Sequence, residues 1–364
     1  MTIESVCRLF QIEGDYRFST EIKNGLINKT YKVTFLRDGQ DKNYILQRIN
    51  TKVFSNPEKI MQNIVAVTSH IRRKIKATGV TAKRLVLHYS FTKEGKSLIV
   101  DDGGYFWRCY RFIDDSIVYD GTGDLELIAE TGRAFGNFQR QLDDFDADSL
   151  FESIPDFHNT KKRYEDLKQA ISQDVRGRAK SVEKEIKELF DFFDDATELI
   201  TMCENGILPR RVTHNDTKCN NVCFDIKTGK ALAVLDLDTV MPGLCAYDFG
   251  DAVRFTCNEV LEDYKDISKV AINLDKYKAF TKGFLESTKN SLTKAEIDTL
   301  AQGAFAVTVE LAVRFLTDYI NGDVYFSPEY PEHNLVRARN QIALAKDMNA
   351  KKEILKGIVK FYSC

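Results

Sequence analysis

The feature that most constrains the fold of this 364-residue chain is a strand-like island in an otherwise helical stretch. Residues 220–237, NNVCFDIKTGKALAVLDL, hold two apolar runs around a Lys-Thr-Gly turn, the pattern of a β-hairpin. The polar loop VTHNDTKCNNV (212–222) leads into it, and helical periodicity resumes beyond residue 255. The second half of the chain is therefore a helical body with one embedded hairpin, and the residues just before that hairpin are the ones to examine for chemistry.

The first half has a different character. Residues 17–50 divide into three runs broken at Asn24-Gly25 and at 37–43, which predicts three hairpin-connected strands. Asn56-Pro57 then opens a stretch with Ile60, Ile64, Val67, Ile71 and Ile75 at helical spacing, ending at Gly79. Strand-like runs return at RLVLHYS (84–90), KSLIVDD (96–102) and the aromatic YFWRCYRFI (105–113). The expectation is an α+β chain. Residues 1–112 form an antiparallel-sheet lobe with one main helix, and 113–364 form a mostly helical lobe carrying 125–142, 160–171, 181–200, 269–285 and 304–320 as helices.

At about two to three typical domain lengths the chain can bury two sizeable cores. With 52 basic against 54 acidic residues, it has no electrostatic footprint for nucleic acid or an anionic membrane, so any anionic ligand must be held locally. No apolar run approaches the ~18 to 20 residues that span a bilayer, and the first residues lack a signal-peptide pattern. A cytoplasmic monomer with small-molecule ligands is the expectation. The eight cysteines are scattered; Cys219 and Cys223 lie four apart, but no second pair follows at zinc spacing, so they read as reduced thiols in small spaces.

In the loop before the hairpin, His214, Asp216, Lys218 and Asn221 follow the spacing H-x-D-x-K-x-x-N. Singly, an Asp or Asn in a loop is most often a turn cap. Together they supply what phosphoryl transfer requires. Asp216 can accept the proton of an attacking hydroxyl, and Lys218 can neutralise the moving phosphoryl group. Magnesium wants oxygen ligands, which the Asn221 amide and a carboxylate following the hairpin would supply. Asp236 ends the second strand, 20 residues after Asp216. Asp248, in Asp248-Phe249-Gly250, lies 32 residues after it and beyond a Pro-Gly turn.

The combination HNDTKCNN…VLDLD resembles the catalytic core of the choline kinase and aminoglycoside phosphotransferase superfamily. The resemblance implies a two-lobed, protein-kinase-like fold with an ATP cleft between the lobes, ATP and Mg2+ as cofactors, a structural His214 and a second acid, Asp238, near the metal or substrate. Letters that spell the metal motif of protein kinases at 248–250 would then be coincidental, leaving Asp248 to brace the catalytic loop or cap a helix. The stretches NGLINKTY, YILQRINT and RFLTDYINGDVYF, with the run from Asp216 through VLDLDTVMPGL, are similar to the bacterial N-acetylhexosamine 1-kinases. That implies phosphorylation of the anomeric hydroxyl of N-acetylglucosamine or N-acetylgalactosamine, with Arg314 and Tyr325 on the N-acetyl side. Arg314 could instead pair along its helix with Glu310 or Asp318.

The chain departs from the kinase pattern at the nucleotide side. The loop 24–30 has one glycine where protein kinases have three, so Asn28 or Thr30 would assist the backbone amides around phosphate. The position of the usual phosphate-binding lysine holds Gln47, with Arg48 on the opposite strand face; one of the two serves. Glu58 is the acid available to a helix partner there, or an exposed first-turn residue. Backbone groups of 108–112 would meet adenine. Gly95-Lys96-Ser97 lacks the earlier P-loop glycine and reads as a turn, and His158 reads as a cap-region residue. Three rival readings remain: another kinase of the superfamily, acting on choline, homoserine or an aminoglycoside; an inactive kinase-like binding module; and a cysteine-based metal or redox protein.

Overall fold

The computed structural model describes residues 1–23, 27–121 and 123–364; the Asn24-Gly25 break and Leu26 lie outside the described residues. The chain forms two compact units, each assembled from three segments. The first comprises Met1–Val118, Asp144–Ile154 and Val222–Met241, and the second comprises Tyr119–Asp143, Pro155–Asn221 and Pro242–Cys364.

The first unit is built on a five-stranded antiparallel sheet of order β1-β2-β3-β5-β4. Its strands are β1 (Asp15–Ile22), β2 (Lys29–Arg37), β3 (Gln40–Arg48), β4 (Ile99–Val100) and β5 (Phe106–Arg111), preceded by the short helix α1 (Ile3–Cys7). Val33, Phe35, Leu46, Trp107 and Cys109 of the strands form one core with Val6 and Cys7 of α1 and with Phe10. The expected helix is α2 (Pro57–Ala77), and its N-cap is Asn56, whose side chain accepts the Lys59 N–H. Residues 84–90 do not extend as a strand. They make one bridge, Tyr89 to Tyr110, because that side of β5 is shared: 106–107 pair with β4, and only 109–111 remain for His88 and Ser90.

The hairpin joins this unit rather than the helical remainder. Its strands β8 (Val222–Asp225) and β9 (Ala231–Val234) extend a three-stranded sheet whose third member is β6 (Ser116–Ile117). This pairing, Ser116 to Asp225 and Ile117 to Phe224, is why the compact units do not divide at residue 112. Segment 144–154 is attached by Asn63 of α2, which exchanges two hydrogen bonds with the Phe151 backbone and also donates to Val240 O.

The second unit is helical: α3 (Leu125–Gln141), α4 (Thr160–Gln173), α5 (Glu183–Asp191), α6 (Phe193–Glu204), α7 (Cys245–Thr256), α8 (Leu274–Thr288), α9 (Lys294–Asn321), α10 (His333–Ala350) and α11 (Lys352–Ser363). The short strand β7 (Arg211–Thr213) leads to the polar loop, and β10 (Met241–Gly243) precedes α7. Helix α9 is the axis, with α4, α6, α7, α10 and α11 packed around it. Among the described residues it is the one helix long and apolar enough to cross a membrane, yet 83% of that window is buried inside the protein. Counting uninterrupted apolar runs missed it because Glu310 and Arg314 break the run. Where α7 crosses α9, Gly250 faces Gly303; a Cβ on either would collide with the other helix's backbone. The crossing therefore requires two glycines, and one of them belongs to the Asp-Phe-Gly triplet.

Candidate active site

The polar loop is held by two carboxylates from one face of α7. Asp248, fully buried, accepts the backbone N–H of His214 and of Asn215, both at 2.8 Å, and the Gln139 side-chain amide at 2.6 Å. Its own carbonyl receives the Thr217 hydroxyl at 2.6 Å. One turn later Asp251 accepts the Thr217 N–H at 2.9 Å and pairs with Arg254. Burial raises the Asp248 pKa against the pull of His214 and the two loop amides. For Asp251 burial acts in the same direction but is outweighed by Arg254 and Lys218, and the pKa falls. His214 is itself buried, edge-on to Phe135 and Phe138, and its Nδ1 accepts the Asp216 N–H. Asp248 and His214 are thus loop braces, as expected. Asp251 was not anticipated, although acids three apart on a helix share a face.

The bracing leaves three functional groups together on the loop. Asp216 is 28% exposed, and its Oδ1 lies 2.7 Å from the Lys218 ammonium, which is 33% exposed. Burial lowers the Lys218 pKa, but the fields of Asp216 and Asp251 outweigh it, so the amine is held in its charged form. Asn221 donates its amide to Asp216 O and Oδ2, at 2.8 and 3.0 Å. With its NH2 so engaged, Asn221 presents Oδ1, the hard oxygen a divalent cation would select.

In the first unit the two acids of Asp236-Leu237-Asp238 are treated differently. Asp236 stands at the end of β9 with φ 51°, a left-handed conformation that Asp tolerates better than most residues, and it is exposed. Asp238 is buried, with both oxygens on the fully buried Arg108 of β5 and a further bond from the Asn28 amide at 2.7 Å. The expectation of a second acid near metal or substrate is corrected: the Asp238 carboxylate is neutralised inside the protein. Burial lowers the Arg108 pKa, but Asp238, with Tyr89 and Tyr110, raises it by more, so the guanidinium stays charged.

The residues expected near nucleotide phosphates belong to the same network. Gln47 accepts from Arg108 Nε at 2.9 Å and donates to Thr30 Oγ1 at 3.1 Å, while Asn28 Oδ1 accepts the Asn50 N–H at 3.0 Å. Asn28 and Thr30 are buried. Arg48 lies on the other strand face, 4.3 Å above the Tyr105 ring. Glu58 is an exposed first-turn residue of α2, and the buried ion pair comes from β5 and the turn after β9. The sequence signal for it was Arg108, one of two arginines in an aromatic strand, since an arginine buried there requires an acid. Three backbone groups expected to face adenine are engaged in the sheet: Cys109 O, Arg111 N–H and Phe112 N–H.

Arg314 and Tyr325 are brought together in the second unit, the guanidinium 3.4 Å from the phenol oxygen. Neither alternative helix partner pairs with Arg314. Glu310 is bonded to His158 at 3.0 Å and Thr160 at 2.8 Å; His158 stands directly before Asn159, the N-cap of α4. Asp318 instead accepts the N–H groups of Val324, Tyr325 and Phe326, which fixes the turn carrying Tyr325. Arg314 therefore lies among the rings of Phe157, Tyr325 and Phe326, at 5.4–5.7 Å from their centroids, and burial lowers its pKa.

Residues 19–279 match the model of a phosphotransferase enzyme family. Among solved structures, the chain is similar to an aminoglycoside phosphotransferase from Alicyclobacillus acidocaldarius, with TM-score 0.67 and 14% identity over 99% of this chain and 97% of that one. It is similar to a choline kinase from Cryptosporidium parvum, with TM-score 0.55 and 14% identity over 98% and 96%. A spectinomycin phosphotransferase in complex with ADP and spectinomycin gives TM-score 0.54 and 13% identity over 95% and 97%. At these identities the likeness is one of fold, and the fold is the α+β, protein-kinase-like one.

Proposed function

The chain belongs to the phosphotransferase enzyme family, and from that premise we propose that this small-molecule kinase uses ATP and magnesium to phosphorylate the anomeric C1 hydroxyl of N-acetylhexosamines. The observation that carries the chemistry is the partly exposed Asp216 carboxylate, fixed by buried braces on both sides and paired with Lys218. Asp216 accepts the C1 hydroxyl proton as that oxygen bonds to the γ-phosphorus. The bond from phosphorus to the β–γ bridging oxygen breaks, and ADP leaves. Lys218 meets the charge on the transferring group. An anomeric hydroxyl is more acidic than an ordinary alcohol, so an ordinary carboxylate base is sufficient.

The donor set suits magnesium: Asn221 offers an amide oxygen whose NH2 is already committed, and Asp236 offers an exposed carboxylate. When bound, the ion would neutralise phosphate charge and align the leaving group. Asn28, Thr30 and Gln47 act on the nucleotide side by fixing strand ends around Arg108 and Asp238, and Arg48 is the cation left on the outer face. The aromatic-lined Arg314, with Tyr325, suits a neutral polar substituent such as an N-acetyl group. The sequence likeness of RFLTDYINGDVYF to N-acetylhexosamine 1-kinases supports that choice.

Phosphorus NMR with ATP, magnesium and a panel of N-acetylhexosamines, other hexoses, choline, homoserine and aminoglycosides tests the reading. A sugar 1-phosphate signal with N-acetylhexosamines is expected; a 6-phosphate, or transfer to an amino alcohol alone, refutes it. Asp216→Asn should abolish turnover while leaving ATP binding intact.

A further inference from the structure

In the first unit, one face of α2 and the segment 88–91 line a half-open pocket of about 310 Å³. Arg72, Arg73 and Lys76 supply its charge from the helix, and His88, Tyr89 and Phe91 line the other side. No carboxylate lines it. Among the described residues, none of the three cations forms an ion pair, whereas Lys74, on a different face of the same helix, lies 2.8 Å from Asp144. Arg72 reaches only neutral groups, Leu87 O at 3.2 Å and His88 Nε2 at 3.5 Å, and burial lowers its pKa. The chain as a whole carries a formal charge of −2, so an unpaired cationic pocket does not follow from composition.

Cations held together without counter-charge repel one another, and Arg72 is also partly desolvated, a cost that a bound anion reverses. Guanidinium groups fit phosphate oxygens in pairs, and an ammonium adds a third charged donor. One water needs only about 10–15 Å³ of such space, so the pocket has room for more than a lone phosphate ion. Tyr89, Phe91 and Val65 offer the remaining wall to an apolar or aromatic body. We propose that this pocket binds a small phosphate ester, its phosphate on Arg72, Arg73 and Lys76 and its apolar portion against Tyr89 and Phe91. None of the residues assigned to phosphoryl transfer lines it, and the proposal does not depend on which acceptor the kinase uses.

His88 reports occupancy. Burial lowers its pKa first, followed by Arg72 and Lys76 of α2 and Arg111 of β5, which are the charged groups facing it. An anion among these cations favours the imidazolium, so binding should raise the His88 pKa and strengthen as pH falls through it. The test is a proton NMR titration of the His88 ring, identified with His88→Gln, in the full-length protein without nucleotide. Phenyl phosphate should raise the His88 pKa saturably, and bind about fivefold more tightly than inorganic phosphate through its ring. Arg73→Gln with Lys76→Gln, both at exposed positions, should weaken binding about tenfold or more. The site is refuted if sodium chloride at matched ionic strength reproduces the shift, or if the double variant binds as the parent does. Equal affinity for inorganic phosphate and phenyl phosphate overturns the ester assignment.

Discussion

Asp236 and Asp238 are two positions apart and have opposite surroundings, which separates their roles more sharply than spacing could. Asp238 is an internal counter-charge for Arg108, both about 2% exposed, and Asp236 is the acid that faces outward. Removing one member of a buried pair strands the other charge, at a cost of about 3–5 kcal/mol, whereas replacing both with apolar residues is often near neutral. Arg108→Met and Asp238→Leu should each lower stability on that scale in urea unfolding, and the double variant should recover most of the loss. Asp236→Ala should cost about 1–2 kcal/mol, because alanine fits the left-handed backbone less well than aspartate, which is less than breaking the buried pair, yet it should abolish magnesium-dependent turnover. An Asp236→Ala protein destabilised as much as Asp238→Leu but still responsive to magnesium would reverse the two assignments. The sequence pointed to Asp236 through its place at a strand end. It could not show that Asp238 was occupied, because the partner is 130 residues away in the chain.

At the level of elements, the triplet Asp248-Phe249-Gly250 shows why a motif must be judged by the surface it serves. On α7 its three residues have three structural tasks. Asp248 holds the loop amides, Phe249 packs against Tyr277, Phe280 and Phe284, and Gly250 permits the approach of α9. Gly303 is the reciprocal contact, where an added methyl group meets the Ala246 carbonyl rather than a movable side chain. Gly303→Ala should therefore cost at least the ~1–3 kcal/mol typical of an overpacked core. Gly357 of α11 has open space around it, so Gly357→Ala should stabilise by up to about 1 kcal/mol through helix propensity alone. Comparing the two by urea denaturation isolates the crossing, and equal effects would show that α7 and α9 do not depend on it. Helical periodicity revealed these elements. It carried no information about which glycine stood at a crossing, since that depends on the facing helix.

Across the whole molecule, what could be read from sequence was whatever is local in the chain. The hairpin after Asn221, the amphipathic α2 and the loop order of Asp216, Lys218 and Asn221 each lie within a window of about 25 residues or fewer, and all are present in the structure. The Arg108 network, the attachment of 144–154 to α2 and the pairing of β6 with β8 connect distant segments, and periodicity has no access to them. The same balance would govern the proposed nucleotide binding. With a formal charge of −2, the chain has no general attraction for a tetra-anion, and Asp216 and Asp236 would repel its phosphates unless a cation intervened. Stabilisation by ATP should accordingly be magnesium-dependent. At a hundred times the dissociation constant, a ligand that binds only the folded state adds about 2.7 kcal/mol of stability. ATP with magnesium should raise the melting temperature, and chelation of the metal should remove most of the increase. Asp216→Asn should keep it, because that change removes the base and not the ligand, while Asp236→Ala should lose the magnesium-dependent part. Equal stabilisation of the parent with and without magnesium would place the nucleotide on cationic side chains alone and overturn the metal assignment of Asn221 and Asp236.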